Sequence, residues 1–275
     1  MGKVIAIANQ KGGVGKTTTA INLSACLAAG DCHVLVVDCD PQANSTSGMG
    51  FSKDPRRKGL YEVLIGQVPI ADVVLKTGIE GLEVVPSDQN LVGANFELVT
   101  HQRRELRLRE ALDPIRGDYG FTILDCPPAL DLLTVNALAA ADTLLIPIQC
   151  EYFALEGVSQ LLDTMERVRD SLNPALEIEG VLLTMFDDRT TLTRQVAHDL
   201  RMFFSKDVLQ TVIPRNIKLA EAPSHGKPIV LYDLHSKGAE GYLRLAKEIL
   251  TNDEDRRIAR NQKSARKGPE CPAPE

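Results

Sequence analysis

The chain has 275 residues, a formal net charge of −6, 44% hydrophobic and 4% aromatic residues, and six cysteines without a C-x-x-C pair. This length supplies a large core for one or two domains, and the cysteine spacing argues for reduced thiols in a cytoplasmic protein, not a disulfide scaffold. A secretion signal or membrane span is not expected: residues 4–8 are too short, and the apolar stretch 137–148 is broken by Asp142 and Pro147.

Strand-like runs occur at residues 3–8, 33–37, 82–85, 121–125, 143–148 and 180–185, with a weaker one near 208–212. Helical patterns fall between most of them, at 20–28, 132–140, 155–172 and 193–204. The alternation predicts right-handed β-α-β crossovers and a single α/β domain over residues 1–251, with a mostly parallel twisted sheet covered by helices on both faces. Ligands of such sheets bind at the carboxyl ends of the strands, where Gln10, Asp38, Asp125 and Met185 fall. Beyond residue 251, Asp253-Glu254-Asp255 leads into Arg256, Arg257, Arg260, Lys263, Arg266 and Lys267, then Gly268-Pro269 and Pro272. Residues 252–275 therefore read as a disordered basic tail, ordinarily just solvated.

The most informative run is Gln10 to Thr18, Q-K-G-G-V-G-K-T-T, set between a strand and a helix. Gly12, Gly13 and Gly15 allow successive backbone N–H groups around Val14 to curl inward around a polyphosphate, and the helix N-terminus at Thr17 and Thr18 adds partial positive charge. Lys16 reaches the β and γ phosphates, and the Thr17 hydroxyl suits Mg²⁺. A glycine-rich turn without a ligand is the alternative, disfavoured because loop chemistry and flanking periodicity agree. The loop departs from G-x-x-x-x-G-K-[ST] in having Gln10 for the first glycine and a second lysine, Lys11. Asp125 ends an apolar strand, the Walker B position for a carboxylate that holds Mg²⁺ through water; alone it would pass as a turn residue. Asp38 and Asp40 follow the neighbouring apolar run, and residues 42–50, rich in Ser, Thr, Asn and Gly, suit a nucleotide-sensing switch segment.

This loop, with Val37-Asp38-Cys39-Asp40-Pro41-Gln42 and Leu124-Asp125-Cys126-Pro127-Pro128, resembles the deviant Walker A ATPases, most closely the ParA/Soj partition proteins. Two further segments fit the small-ParA pattern: residues 149–157, Q-C-E-Y-F-A-L-E-G, and residues 213–224, I-P-R-N-I-K-L-A-E-A-P-S. The likeness spans all but the last two dozen residues. It implies a P-loop NTPase that uses ATP and Mg²⁺, hydrolyses ATP slowly, forms an ATP-dependent sandwich homodimer and coats double-stranded DNA without sequence preference. A ParB-type centromere-binding partner would stimulate it during chromosome or plasmid segregation, at the nucleoid. By resemblance Asp40 positions the attacking water, Asp38 lies near the metal shell, and Lys11 acts on the opposite subunit's nucleotide. Pro214 and Asn216 become adenine contacts, and Arg189, Arg215, Lys218 and Lys237 become DNA contacts. Only nine residues precede the loop, so operator recognition by an N-terminal helix-turn-helix, as in larger partition ATPases, is not expected. Net acidity argues against nucleic acid only in aggregate, since a local basic patch escapes a global sum.

Three rival readings fare worse. A MinD-like membrane ATPase needs an amphipathic C-terminal helix, and after Leu250 the sole large aliphatic residue is Ile258. An iron–sulfur ATPase needs a thiolate partner for Cys126. A nucleotide-binding module without turnover leaves Asp40 and Asp125 without a role.

Overall fold

The computed structural model describes residues 2–54 and 56–266. Eight strands form one sheet: β1 (Lys3–Ile7), β2 (Val34–Asp38), β3 (Leu75–Lys76), β4 (Leu82–Val85), β5 (Phe121–Asp125), β6 (Thr143–Gln149), β7 (Glu177–Phe186) and β8 (Val208–Pro214). Their spatial order is β3-β4-β2-β5-β1-β6-β7-β8, and every pairing is parallel except β3 with β4. Every residue of β1, β2 and β5 is buried, which explains why these strands read as continuous apolar runs and not as alternating ones.

Period-two geometry divides the core into two layers. Ile5, Ile7, Val34, Val36 and Ile123 face a layer containing α1 (Lys16–Ala28). Val4, Ala6, Leu35, Val37 and Leu124 face the other. That second layer is built by α3 (Leu60–Leu64), α4 (Leu91–Glu97), α5 (Arg107–Leu112), α6 (Leu132–Ala140), α7 (Glu156–Ser171) and α8 (Thr191–Phe204). Short helices α2 (Asn44–Gly48), α9 (Ile217–Glu221) and α10 (Ile229–Tyr232) and the long α11 (Lys237–Arg266) complete the chain, the last covering α1 with Tyr242, Leu245 and Ile249.

Three expectations change. Helix α1 starts at Lys16, four residues before the apolar periodicity begins, because its first turn belongs to the loop and not to the core. The Ser/Thr-rich segment 42–50 contains α2, a helix too short to show a period. The proposed tail at 252–275 is a helix as far as Arg266. Two of its charges, Asp253 and Arg256, are tied to the sheet: Lys3 Nζ lies 2.7 Å from Glu179 Oε2 and 3.2 Å from Asp253 Oδ1, and Arg256 Nη1 donates to Glu179 Oε2 at 2.7 Å. Residues 267–275, with Lys267 and the Pro-containing end, lie outside the described residues.

Candidate nucleotide site

The register sets Asp38 beside Asp125 and Asp125 beside Ile7, so the tips of β2, β5 and β1 present their following loops on one edge of the sheet. Asn9 fastens the loop after β1: its Nδ2 donates to Pro147 O on β6 (2.8 Å) and its Oδ1 accepts from Lys11 N (3.0 Å). Gly13 and Gly15 have φ of 74° and 92°, the left-handed region that L side chains rarely adopt, so these two positions need glycine. A Cβ placed on Gly12 or Gly13 would meet nothing within 4 Å, which leaves an open cradle above the loop. No side chain caps the N-terminus of α1, so its first-turn N–H groups remain for an anion. From the far side, Thr184 Oγ1 on β7 donates to Val14 O at 2.8 Å and braces the loop.

Lys16 is buried, and its Nζ donates to Lys11 O at 3.0 Å. Burial lowers its pKa, opposed chiefly by the nearby Asp125. An ammonium group so placed favours an anionic ligand, which would restore its charge balance. Lys11 projects outward, with Nζ 2.6 Å from Glu151 Oε2 in the loop after β6.

The carboxylates divide their tasks. Asp38 is fully buried and holds the start of α2: Oδ2 accepts Thr46 N and Thr46 Oγ1, both at 2.7 Å, and Oδ1 accepts Asp40 N at 3.2 Å. Asp125 Oδ2 accepts Ser45 Oγ at 2.7 Å, while its Oδ1 is buried with no hydrogen-bond partner. Burial raises the pKa of Asp125, the charge of Asp38 adds to it, and the hydrogen bond from Ser45 and the nearby Thr17 hydroxyl oppose the rise. Burial likewise raises Asp38, against the bonds from Thr46. Asp40 Oδ1 accepts Gln42 N at 2.8 Å, so the second carboxylate shapes the turn into the switch segment. Among the described residues no group of three His, Cys, Asp or Glu side chains could hold a metal alone. Mg²⁺ takes few protein ligands and retains water and phosphate oxygens; the orphaned Asp125 Oδ1 and the Thr17 hydroxyl beside it are the donors that fit it.

A second cavity of about 310 Å³ adjoins the loop, lined by Gly15, Thr18, Met185, Pro214, Asn216 and Tyr242 among others. It has the size and apolar character of a small-molecule pocket. Met185 has φ 48°, a strained value for a side-chain-bearing residue, at a register shift between β7 and β8. Asn216 Oδ1 caps α9 through Lys218 N at 2.8 Å.

The four candidate DNA contacts gather around the same end of the sheet. Phe186 O accepts Arg215 N at 3.1 Å, which brings Arg215 close to the Arg189 loop. Arg189 is engaged by Asp187 through Nε (2.8 Å) and Nη2 (2.7 Å), an exposed pair. Lys218 pairs with Glu221 at 3.0 Å and lies 5.7 Å over the Tyr232 ring. Lys237 opens α11, whose Gly238 packs so closely that a Cβ there would sit 2.7 Å from Leu219. Sequence reasoning missed Asn9, Ser45, Thr46, Glu151 and Thr184. Glu151, Ser45 and Thr46 lie in segments the sequence singles out, but the individual roles of all five depend on partners distant in sequence.

Fold and loop together define a P-loop nucleoside triphosphatase whose phosphate loop carries a second lysine. The AAA domain family AAA_31 matches residues 2–178. The chain is 54% identical over 256 residues to the chromosome partitioning protein ParA of Caulobacter vibrioides, covering 92% of this chain and 96% of that one. It is also 54% identical over 252 residues to the sporulation initiation inhibitor protein Soj of Bacillus subtilis, covering 92% of this chain and all of that one. A structure of cobyrinic acid a,c-diamide synthase from Mycobacterium smegmatis, with bound ATP analogue and magnesium, superposes with a TM-score of 0.82 at 37% identity, over 92% of this chain and 96% of that one. The chain belongs to the ParA/Soj family of partitioning ATPases.

Proposed function

We propose that this protein is an ATP-driven partition switch: it binds ATP with Mg²⁺, pairs face to face with a second copy, coats duplex DNA without sequence preference, and is reset by hydrolysis that a ParB-type partner accelerates. The observation that carries the reading is the conjunction of a buried Lys16 at the base of an open glycine cradle with an outward Lys11 on the same loop. The buried lysine serves the chain's own nucleotide. The outward one is free to leave a half-exposed carboxylate for the nucleotide of a second subunit.

Lys16 and the first-turn N–H groups of α1 hold polyphosphate, Thr17 and Asp125 stand where Mg²⁺ would be held, and Asp40 orients water by accepting its proton in a hydrogen bond. When bound, Mg²⁺ neutralises phosphate charge as it develops. Pro214 and Asn216 line the purine cavity. Arg189, Arg215, Lys218 and Lys237 supply phosphate contacts at one end of the sheet, and dimerisation doubles that patch.

The test is phosphate release together with co-sedimentation on unrelated DNA duplexes and on anionic liposomes, each with ATP and with ADP. DNA binding that needs ATP, with turnover raised by DNA and the partner, is expected. Sedimentation with liposomes alone would replace this reading with a membrane-positioning one. No helix among the described residues is long and apolar enough to cross a membrane, and α11 is fastened to the sheet at Asp253 and Arg256.

A further inference from the structure

The loop between α2 and α3 carries Lys53, Arg56, Arg57 and Lys58 against a single carboxylate, Asp54. Lys53, Arg56 and Lys58 are exposed. Arg57 is committed to the loop itself, donating to Ser52 O at 2.9 Å and lying 5.9 Å over the Phe51 ring. Asp54 engages Arg56 through Nε at 3.3 Å, but the Arg56 side chain remains 91% exposed. Arg56 and Lys58 are outward cations not needed for packing, whereas Lys53, though exposed, spends its amine on the switch segment.

Two relationships give this loop a place in the molecule. The first is continuity with the basic surface near α9. Gly50 touches the turn at Gly226, where a Cβ would sit 2.6 Å from Gly50 Cα. Next to Gly226, His225 stacks on Tyr232 with ring centroids 5.0 Å apart, and Tyr232 lies under the Lys218 amine. Exposed Lys227 follows in the same turn. The second is a tie to the nucleotide site. Lys53 Nζ donates to Gln42 O at 2.5 Å and to Asn44 Oδ1 at 3.2 Å, and Gln42 N donates to Asp40 Oδ1. Lys53 thus joins the basic loop to the segment that follows Asp40.

We propose that Arg56 and Lys58 form a second phosphate-contacting strip for duplex DNA, next to Lys218 and Lys227, and that Lys53 ties this strip to the switch segment. The proposal rests on the DNA-binding reading above and adds to it a surface tied to the nucleotide site. Its ligand is the sugar–phosphate backbone, since the strip offers cations and no planar amide or aromatic group for reading bases.

The test measures DNA affinity by fluorescence anisotropy on two unrelated duplexes across a salt series, with a non-hydrolysable ATP analogue, for wild type, Arg56→Ala/Lys58→Ala, Lys53→Ala and Arg215→Ala. Each cation that contacts a phosphate contributes about one to the slope of log affinity against log salt. The double variant should therefore show a slope shallower by about two on both duplexes. Its dimerisation by light scattering and its DNA-free phosphate release should remain at wild-type levels. Lys53→Ala should narrow the ratio between affinities measured with the analogue and with ADP. A double variant that matches wild type in slope and affinity while Arg215→Ala weakens binding overturns the strip and leaves the broader reading standing. An unchanged analogue-to-ADP ratio in Lys53→Ala overturns the coupling. Wild-type protein that binds neither duplex at low salt overturns the DNA reading itself.

Discussion

Lys11 and Glu151 meet at 2.6 Å across the mouth of the phosphate loop, with their side chains 38% and 46% exposed. Ion pairs this accessible contribute roughly 0–1 kcal/mol, so the contact parks the lysine without trapping it. Each dimer releases two such pairs, so Glu151→Gln should tighten the ATP-dependent dimer by at most about thirtyfold, the equivalent of about 2 kcal/mol. Lys11→Ala should bind nucleotide and remain monomeric. Light scattering with ATP and Mg²⁺ measures both, and a Lys11→Ala dimer as tight as wild type would show that this lysine plays no part between subunits.

Lys16 and Asp40 should separate binding from turnover. Lys16→Ala removes the buried cation beneath the cradle, and calorimetry should detect no tight ATP binding. Asp40→Ala leaves that cation and the loop intact, so ATP should still bind while phosphate release falls by two or more orders of magnitude and dimers accumulate. Wild-type turnover in Asp40→Ala would move the water-positioning role to another group.

How far the sequence discloses this site depends on the range of the contacts. The strands were legible because burial on both faces writes a continuous apolar run, and Asp38, Asp125 and the lysines were legible because they sit at strand tips or in the loop. Helix α2 was not, since its five residues are held by a tertiary bond from Thr46 to Asp38 and not by any period of their own. The two-residue β3 left no signal either. The segment of α11 from residue 252 read as a solvated tail because an acidic block followed by basic residues looks the same in water and in an ion-pair network. Only the position of Glu179, far away in sequence, distinguishes them.

The Thr46 anchor yields a stability prediction. Thr46 Oγ1 donates to buried Asp38 and accepts Ser87 N at 3.0 Å, joining the switch segment to the loop after β4. Thr46→Val keeps the shape but leaves Asp38 one donor short and Ser87 N without its acceptor, at a cost of about 1–3 kcal/mol for each buried group left unsatisfied. Thr46→Ser retains the hydroxyl and should lose much less. Urea denaturation of the nucleotide-free protein would reveal the difference, and equal stability of the two variants would mean that the hydroxyl does not anchor the segment.

Glu179 offers the most demanding case, because it is fully buried between two cations, Lys3 at 2.7 Å and Arg256 at 2.7 Å. Removing the carboxylate leaves Arg256 without its ion-pair partner and Lys3 with Asp253 alone in a poorly hydrated place, a loss of about 3–5 kcal/mol. Glu179→Gln should therefore lower the denaturation midpoint strongly. Arg256→Ala should do so less, since its side chain is partly exposed and Lys3 still balances the carboxylate. The two variants should also differ in where they act. Losing Arg256 releases the hold on α11, whose guanidinium also donates to Ile178 O at 3.1 Å, so amide exchange over residues 253–258 should quicken while exchange in β1 and β7 stays slow. Nucleotide affinity should be unchanged in Arg256→Ala, because the network lies at the amino ends of β1 and β7 and the phosphate loop at the carboxyl end of β1. Slow exchange over 253–258 in Arg256→Ala would show that the helix end is held by something other than this network, and a mild loss in Glu179→Gln would show that water reaches the carboxylate.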